Sequence, residues 1–263
     1  MALTRRKLGS PSLRESAELE LKRRRKAPLP ALGATTDDKT EFFLTASHQL
    51  KSPVAIIQWC LQSVLELQDL PPEGRTLVGK ALEQAGGMAH LMGDMLQVFR
   101  LIGHKVEHAL EPVGINQLLE EILTQYELVA HNHGVHLVRG AIENLPDVIA
   151  NTTLVRQALI NLVDNAIKYT KSGGHVTVNV RATKAGMVEV SVQDEGIGIP
   201  ETEQEHLFTE FFRGQEARDT VYEGTGLGLV LVKHIAEHFG GRVHFKSALH
   251  KGSTFIFEIP FNA

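Results

Sequence analysis

Three stretches of this 263-residue chain combine residue types and spacings that suit phosphate chemistry. Asn161, Asn165, Lys168 and Tyr169 recur at helical intervals, so on a helix they share one stripe, while Val155, Leu159, Leu162, Val163 and Ala166 share the other. An amide oxygen is a hard, neutral ligand suited to Mg²⁺, which keeps several waters and takes the rest of its shell from phosphates and a few protein oxygens. Lys168 can meet a phosphate as a point charge. A merely solvated helix face has the same composition, so the stripe alone leaves both readings open. Asp194-Glu195-Gly196-Ile197-Gly198-Ile199-Pro200 follows an apolar strand pattern. A carboxylate there accepts from the exocyclic amine of adenine, whereas guanine offers an acceptor at that position, so Asp194 would select ATP over GTP. Gly196 and Gly198 allow a tight turn or close approach to a base. Gly224-Thr225-Gly226-Leu227-Gly228-Leu229 opens a helical pattern, and backbone N–H groups at such a start form an anion site for a triphosphate. This is neither GxxxxGK[ST] nor GxGxxG.

The elements that must hold these residues can be read from periodicity. A helix is expected over Ile115 to Tyr126 and another over Thr152 to Thr170, with short apolar runs at Val135 to Val138 and Val148 to Ala150. Strict alternation in Val176, Val178 and Val180, then Val188, Val190 and Val192, predicts two strands turning at Ala185-Gly186. A last hairpin carries Val243 and Phe245, then Phe255, Phe257 and Ile259; the helix before it runs to Phe239 and stops at Gly240-Gly241. Hairpin-linked strands with helices kept aside predict a two-layer α+β sandwich. The long connection between the two glycine clusters, with Leu207-Phe208-Thr209-Glu210-Phe211-Phe212-Arg213, is expected to be a lid over the nucleotide.

Upstream the pattern is different. Phe43, Ala46, Leu50, Pro53, Ile57, Cys60, Val64 and Leu67 recur at three- and four-residue steps, and so do Val78, Ala81, Ala85, Met88, Met92, Met95 and Phe99. Leu70-Pro71-Pro72-Glu73-Gly74 separates them, so two long helices form an antiparallel hairpin. Its apolar stripe needs a second copy to cover it, giving a dimeric four-helix bundle. Gly86-Gly87 inside the second helix permits close packing or leaves a hinge. The expected divisions are a basic tail or linker end over 1–36, the hairpin over 37–106 and the sandwich over 107–263.

Asn-x3-Asn-x2-Lys-Tyr, DxGxG, an aromatic stretch and GTGLGL, in this order, closely resemble the ATP-binding domain shared by sensor histidine kinases and the gyrase, chaperone and MutL (GHKL) ATPases, over residues 107 to 263. The resemblance implies that Asn161 and Asn165 organise Mg²⁺ and that Lys168 and Tyr169 line the phosphates and ribose. It further implies that Asp194 binds adenine and Arg213 reaches the γ-phosphate from the lid. Gly224, Gly226 and Gly228, in one turn with Thr225 and Leu227, would cradle the phosphates, and Thr254 would support the base. Phe42 to Pro53, FFLTASHQLKSP, resembles the phosphoacceptor box of the same kinases. By that resemblance His48 is phosphorylated, a response-regulator receiver domain takes the phosphoryl group, and the protein is a homodimer. With Phe43 at heptad position a, His48 falls at f, facing away from the bundle. A neutral imidazole, with an ordinary pKa near 6.5, has a nitrogen free to attack phosphorus. Gln49 stands where the family most often has an acid, and can orient the imidazole but cannot take its proton. Ser52 stands where threonine or asparagine is usual, keeping a hydroxyl one turn from His48; response-regulator phosphatase activity stays open.

Gln49 also motivates an alternative, a signalling scaffold that binds nucleotide without phosphorylating itself. An ATPase machine or protein-serine kinase on the same ATP fold is disfavoured by the hairpin with its outward histidine. A net charge of −4 disfavours nucleic-acid binding by bulk electrostatics. The single cysteine, Cys60, excludes an internal disulfide and is expected in the core of the seam; together with the absence of a long apolar run or signal sequence it points to the cytoplasm. Residues 1–36 are too few for a sensor, so a membrane enters only if the chain belongs to a longer receptor. Their excess of arginine and lysine reads as a solvated tail or as a contact for an anionic surface or a regulator. The histidines at 104, 108, 131, 133 and 136 have no accompanying cysteine or cluster of acids, so no metal is expected there.

Overall fold

A computed structural model describes residues 36–67, 69–102, 109–143, 145–220 and 224–261, with only the backbone of 36–48, 90, 99–100, 102 and 219–220. The basic tail, the outward pose expected of His48, the seam positions Phe43, Ala46 and Phe99, and His104 and His108 therefore lie outside what can be described.

Helix α1 spans Thr36–Leu65 and α2 spans Pro72–Ile102. Proline begins α2, where its missing N–H costs no hydrogen bond. Arg75 from its first turn donates through Nη1 to the Leu65 carbonyl (2.7 Å) and through Nη2 to that of Leu67 (3.2 Å), closing the connection. Pro53 sits inside α1 and removes one N–H from its ladder. The two helices pack together, and Val54, Ala85, Met92 and Leu96 are buried, but of these only Ala85 and Met92 belong to the predicted seam, and none of its described positions on α1 is buried. Leu50, Ile57, Leu67 and Met88 are about half exposed, and Cys60, expected in the core, is exposed as well. A hairpin has one apolar stripe for each neighbour it expects, and a single chain fills only the inner one. Helix α2 is continuous through Gly86 and Gly87, so the pair is not a hinge here.

The remaining chain builds the sandwich. After β1 (Glu111–Val113) comes α3 (Ile115–His133), which buries Ile115, Leu118, Leu119, Ile122, Leu123 and Ala130 and stops at Gly134 in the left-handed region (φ 69°). Strands β2 (His136–Ile142) and β3 (Val148–Ala150) lead to α4 (Thr152–Tyr169), capped by Asn151, whose side chain accepts from the Leu154 N–H at 3.0 Å. Strands β4 (His175–Ala182) and β5 (Met187–Asp194) form the predicted hairpin. The lid follows, with α5 (Glu201–Gln204) and α6 (Gln215–Thr220). Helix α7 (Gly228–His238) and the hairpin β6 (Arg242–Ala248) and β7 (Gly252–Pro260) complete the order.

The main sheet runs β2-β4-β5-β7-β6, antiparallel except for the parallel β2–β4 pair, and β1 pairs with β3 separately. Alternate valines of β4 and β5 with Phe255, Phe257 and Ile259 of β7 meet α3, α4 and α7 in one core, which confirms the two-layer α+β arrangement. Val98 and Leu101 from the end of α2 belong to that same core, and α2 packs on α7, so the hairpin is docked against the sandwich. No helix among the described residues is long and apolar enough to cross a membrane.

Candidate functional site

Helix α4 turns its apolar face, Leu154, Val155, Ala158, Leu159, Leu162, Val163, Ala166 and Ile167, onto the sheet. Its opposite face is left along a cavity of ≈ 720 Å³, which Asn161, Asp164, Asn165, Lys168 and Tyr169 all line. The Asn161 Nδ2 is buried with no partner among the described residues, and Lys168 Nζ lies 2.7 Å from Asp164 Oδ2. An unpartnered buried amide donor on the helix that borders the cavity calls for a partner from outside the described residues.

Asp194 ends β5 and is 5% exposed. Its Oδ1 accepts from the backbone N–H of Gly196 (2.9 Å) and of Ser253 on β7 (3.1 Å). Burial raises its pKa to about 6 against those two hydrogen bonds, which pull the other way. With Oδ1 committed to the backbone, Oδ2 remains for a base. Gly196 pairs with Thr170 at the end of α4, and a Cβ there would fall 2.4 Å from the Tyr169 carbonyl oxygen. The glycine thus permits the turn to lie against α4; it does not itself line the cavity, whereas Gly198 does.

The turn Gly224 to Leu227 precedes α7 and faces the Asn161 stripe, with Gly224, Thr225, Gly226 and Gly228 lining the cavity. Gly226 has φ 70°, and a Cβ would meet the Phe211 Cα at 2.8 Å, because the Phe211 N–H donates to the Gly226 carbonyl at 3.1 Å. The lid therefore rests on the glycine turn. Arg213 lines the cavity and donates to the carbonyls of Gly224 and Ala217, each at 3.3 Å.

Besides Gly196, two expected residues are elsewhere. Leu227 is 1% exposed and faces the core, because helix α7 must anchor its first turn there; its N–H donates to Thr225 Oγ1 at 3.2 Å. Thr254 borders a shallower concavity with Lys246 and Gln193, because strand alternation gives the cavity side to Ser253 and Phe255. Gln49 and Ser52 are exposed on α1, outside the cavity.

Several residues along the cavity were not foreseen. Asp164 lies between the two asparagines, and its place on the same helical face was a usable signal. Tyr126 of α3 comes from another element; burial first, then the charge of Asp164, pushes its pKa up to about 12. Gly86, Leu91 and Asp94 of α2 wall the far side, and no local pattern announces a contact between elements so distant in sequence. Among the described residues no group of three or more His, Cys, Asp or Glu is placed to hold a metal. The amides of Asn161 and Asn165 suit Mg²⁺ only if phosphate oxygens complete its shell.

A two-layer sandwich with a cavity of ≈ 720 Å³ between a capped asparagine helix, an Asp-Gly turn and a glycine-rich helix start defines an ATP-binding domain. Residues 150–263 match the family model described as histidine kinase-, DNA gyrase B- and HSP90-like ATPase, and residues 38–103 match the His kinase A (phospho-acceptor) domain. The sensor-like histidine kinase SenX3 of Mycolicibacterium smegmatis is 32% identical over 84% of this chain, covering 57% of its own length. The sensor histidine kinase WalK of Bacillus subtilis is 30% identical over 85% of this chain and 37% of its own. Among solved structures, full-length ShkA in complex with AMPPNP has a TM-score of 0.70 at 30% identity, covering 84% of this chain and 46% of that one. The catalytic domain of histidine kinase ThkA has a TM-score of 0.52 at 30% identity, covering 59% of this chain and 100% of that one. The chain belongs to the two-component sensor histidine kinases. It spans about half the length of the curated relatives it matches, 57% and 54% for two of them.

Proposed function

We propose that this chain is the catalytic core of a sensor histidine kinase that binds Mg-ATP in the cavity, phosphorylates His48, and passes the phosphoryl group to an aspartate of a response-regulator receiver domain. One observation carries the reading: a buried carboxylate, an amide stripe, a basic lid residue and a glycine turn converge on one cavity whose far wall is the hairpin that bears the phosphoacceptor box.

In this reading the free oxygen of Asp194 accepts from the adenine amine, and Tyr169 with Lys168 lies along the ribose and phosphates. The backbone N–H groups of Gly226 and Gly228 and the guanidinium of Arg213 take up charge on the terminal phosphate as it loosens. Asn161 and Asn165 would hold Mg²⁺, which when bound neutralises charge between phosphates. A ring nitrogen of His48 then bonds to phosphorus as the bond to the ADP oxygen breaks. Gln49 orients the imidazole, and Ser52 lies on the same helical face. Supporting a homodimer, the seam residues Leu50, Ile57 and Leu67 are left exposed along the hairpin.

The test is incubation with γ-labelled ATP. Acid-labile, base-stable label is expected on the wild type and none on His48→Ala, while both proteins bind ATP equally. Label that survives His48→Ala overturns the assignment.

A further inference from the structure

Asp94 is the one buried acid of the hairpin among its described side chains, 4% exposed on α2. Its Oδ2 accepts from the Thr225 hydroxyl at 3.5 Å, a long hydrogen bond joining the hairpin to the glycine turn. The same Thr225 oxygen accepts from the Leu227 N–H at 3.2 Å. The one hydrogen of the hydroxyl is thus directed to α2, while its oxygen accepts from the start of α7.

The level of this contact along the hairpin follows from helix geometry. A Cβ on Gly86 of α2 would lie 3.8 Å from Gln58 Nε2 of α1, which sets those two residues side by side. Antiparallel helices advance equally per residue, so stepping back along α1 from Gln58 to His48 corresponds to stepping forward along α2 from Gly86 to Leu96. Asp94 is two residues short of Leu96, roughly 3 Å of helical rise. The hairpin therefore grips the phosphate-binding turn near the level of its own phosphoacceptor position.

We infer that Asp94 is a positioning residue: by accepting from Thr225 it seats the glycine turn on α2 at the level of His48, so that a bound triphosphate is presented near the acceptor. The inference rests on the autokinase reading above. Asp94 walls the far side of the cavity, and the role assigned to it is toward the turn, not toward the nucleotide. Removing it should therefore slow phosphoryl transfer without weakening nucleotide binding, a split that a general loss of fold does not produce.

The experiment uses the full chain with Asp94→Ala and Asp94→Asn, the second keeping an acceptor for the hydroxyl. ADP affinity is measured by calorimetry, and the first-order rate of His48 labelling at saturating ATP by rapid quench. For Asp94→Ala the rate is expected to fall about five- to tenfold, the worth of one such hydrogen bond, with ADP affinity within about twofold of wild type. Asp94→Asn is expected to recover to within about threefold. A rate unchanged in Asp94→Ala, or equally slow in both variants, overturns the inference. So does a faster rate with tighter ADP binding, which would make the contact inhibitory. If the wild type itself acquires no label on His48, the autokinase reading fails first, a result distinct from labelled wild type with indifferent Asp94 variants.

Discussion

Asp194 is held in a state with two opposed consequences. Its pKa of about 6 in the folded chain lies above its ordinary 3.8, so between those values the folded state binds more protons than the unfolded one. Stability from this group is accordingly highest at low pH and is lost as pH rises through about 6, by something on the order of 3 kcal/mol. The proposed ligand reverses the preference, because a protonated Oδ2 would point a hydrogen at the adenine amine, and two donors do not pair. Nucleotide affinity should therefore fall as pH drops below about 6. Asp194→Asn separates the effects: Oδ1 still accepts from Gly196 and Ser253, but an NH₂ faces the base. The variant should lose about 100-fold in ADP affinity, an unpaired buried polar group costing roughly 1–3 kcal/mol, while gaining urea stability relative to wild type at pH 7 more than at pH 5. Equal ADP affinity in the two proteins would remove Asp194 from the base site. At this scale the sequence put Asn161, Asn165 and Lys168 on one face of α4 by helical spacing alone, and that face lies along the cavity. It was silent on Tyr126 and Asp94, which reach the cavity only through packing, and it misjudged Thr254 because the strand's register against β5, which decides between neighbours, is not a local property.

Among elements, the helices and the β4–β5 hairpin were legible because burial imposes a period on them: eight apolar side chains of α4 face the core, and alternate valines do so on the strands. The parallel pairing of β2 with β4 was not, since the partner of a short strand depends on a crossover whose path no window of residues contains. Strand β1, three residues with one buried, has too few positions to show a period at all. Glycines make the contrast between element and site measurable. Gly87 lies within a continuous α2, with open space where a Cβ would stand and no positive φ, so Gly87→Ala should raise stability by about 1 kcal/mol through helix propensity. Gly226, at φ 70° with the Phe211 backbone against it, has no such freedom. Gly226→Ala should displace the lid and weaken ADP binding at least tenfold. Thermal melts with and without ADP check both, and a Gly226→Ala protein that ADP stabilises as much as wild type would show that the turn does not carry the phosphates.

The whole molecule has more apolar surface on its hairpin than a lone chain would keep in water. Leu50 and Ile57 of α1 are 54% and 49% exposed, and both fall on the heptad seam. Two copies related by a two-fold axis bury each such residue twice; covering the exposed half of such a side chain is worth roughly 1 kcal/mol, and a carboxylate placed there adds its own desolvation cost. A charge in the middle of the seam forfeits both, so Ile57→Asp should weaken the dimer by about 100- to 10,000-fold, read as a shift to monomer mass in sedimentation at micromolar concentration. The sandwich keeps its own core of α3, α4 and α7 on the sheet, so ADP affinity should be unchanged. A dimer of undiminished strength would place the interface elsewhere. The same monomer also reports the direction of transfer, because the Asp94 to Thr225 contact is internal to one chain. Label on His48 of the monomeric variant means the turn serves the acceptor beside it. Loss of label, with ADP still bound, means that the triphosphate seated on one hairpin is aimed at the histidine of the other.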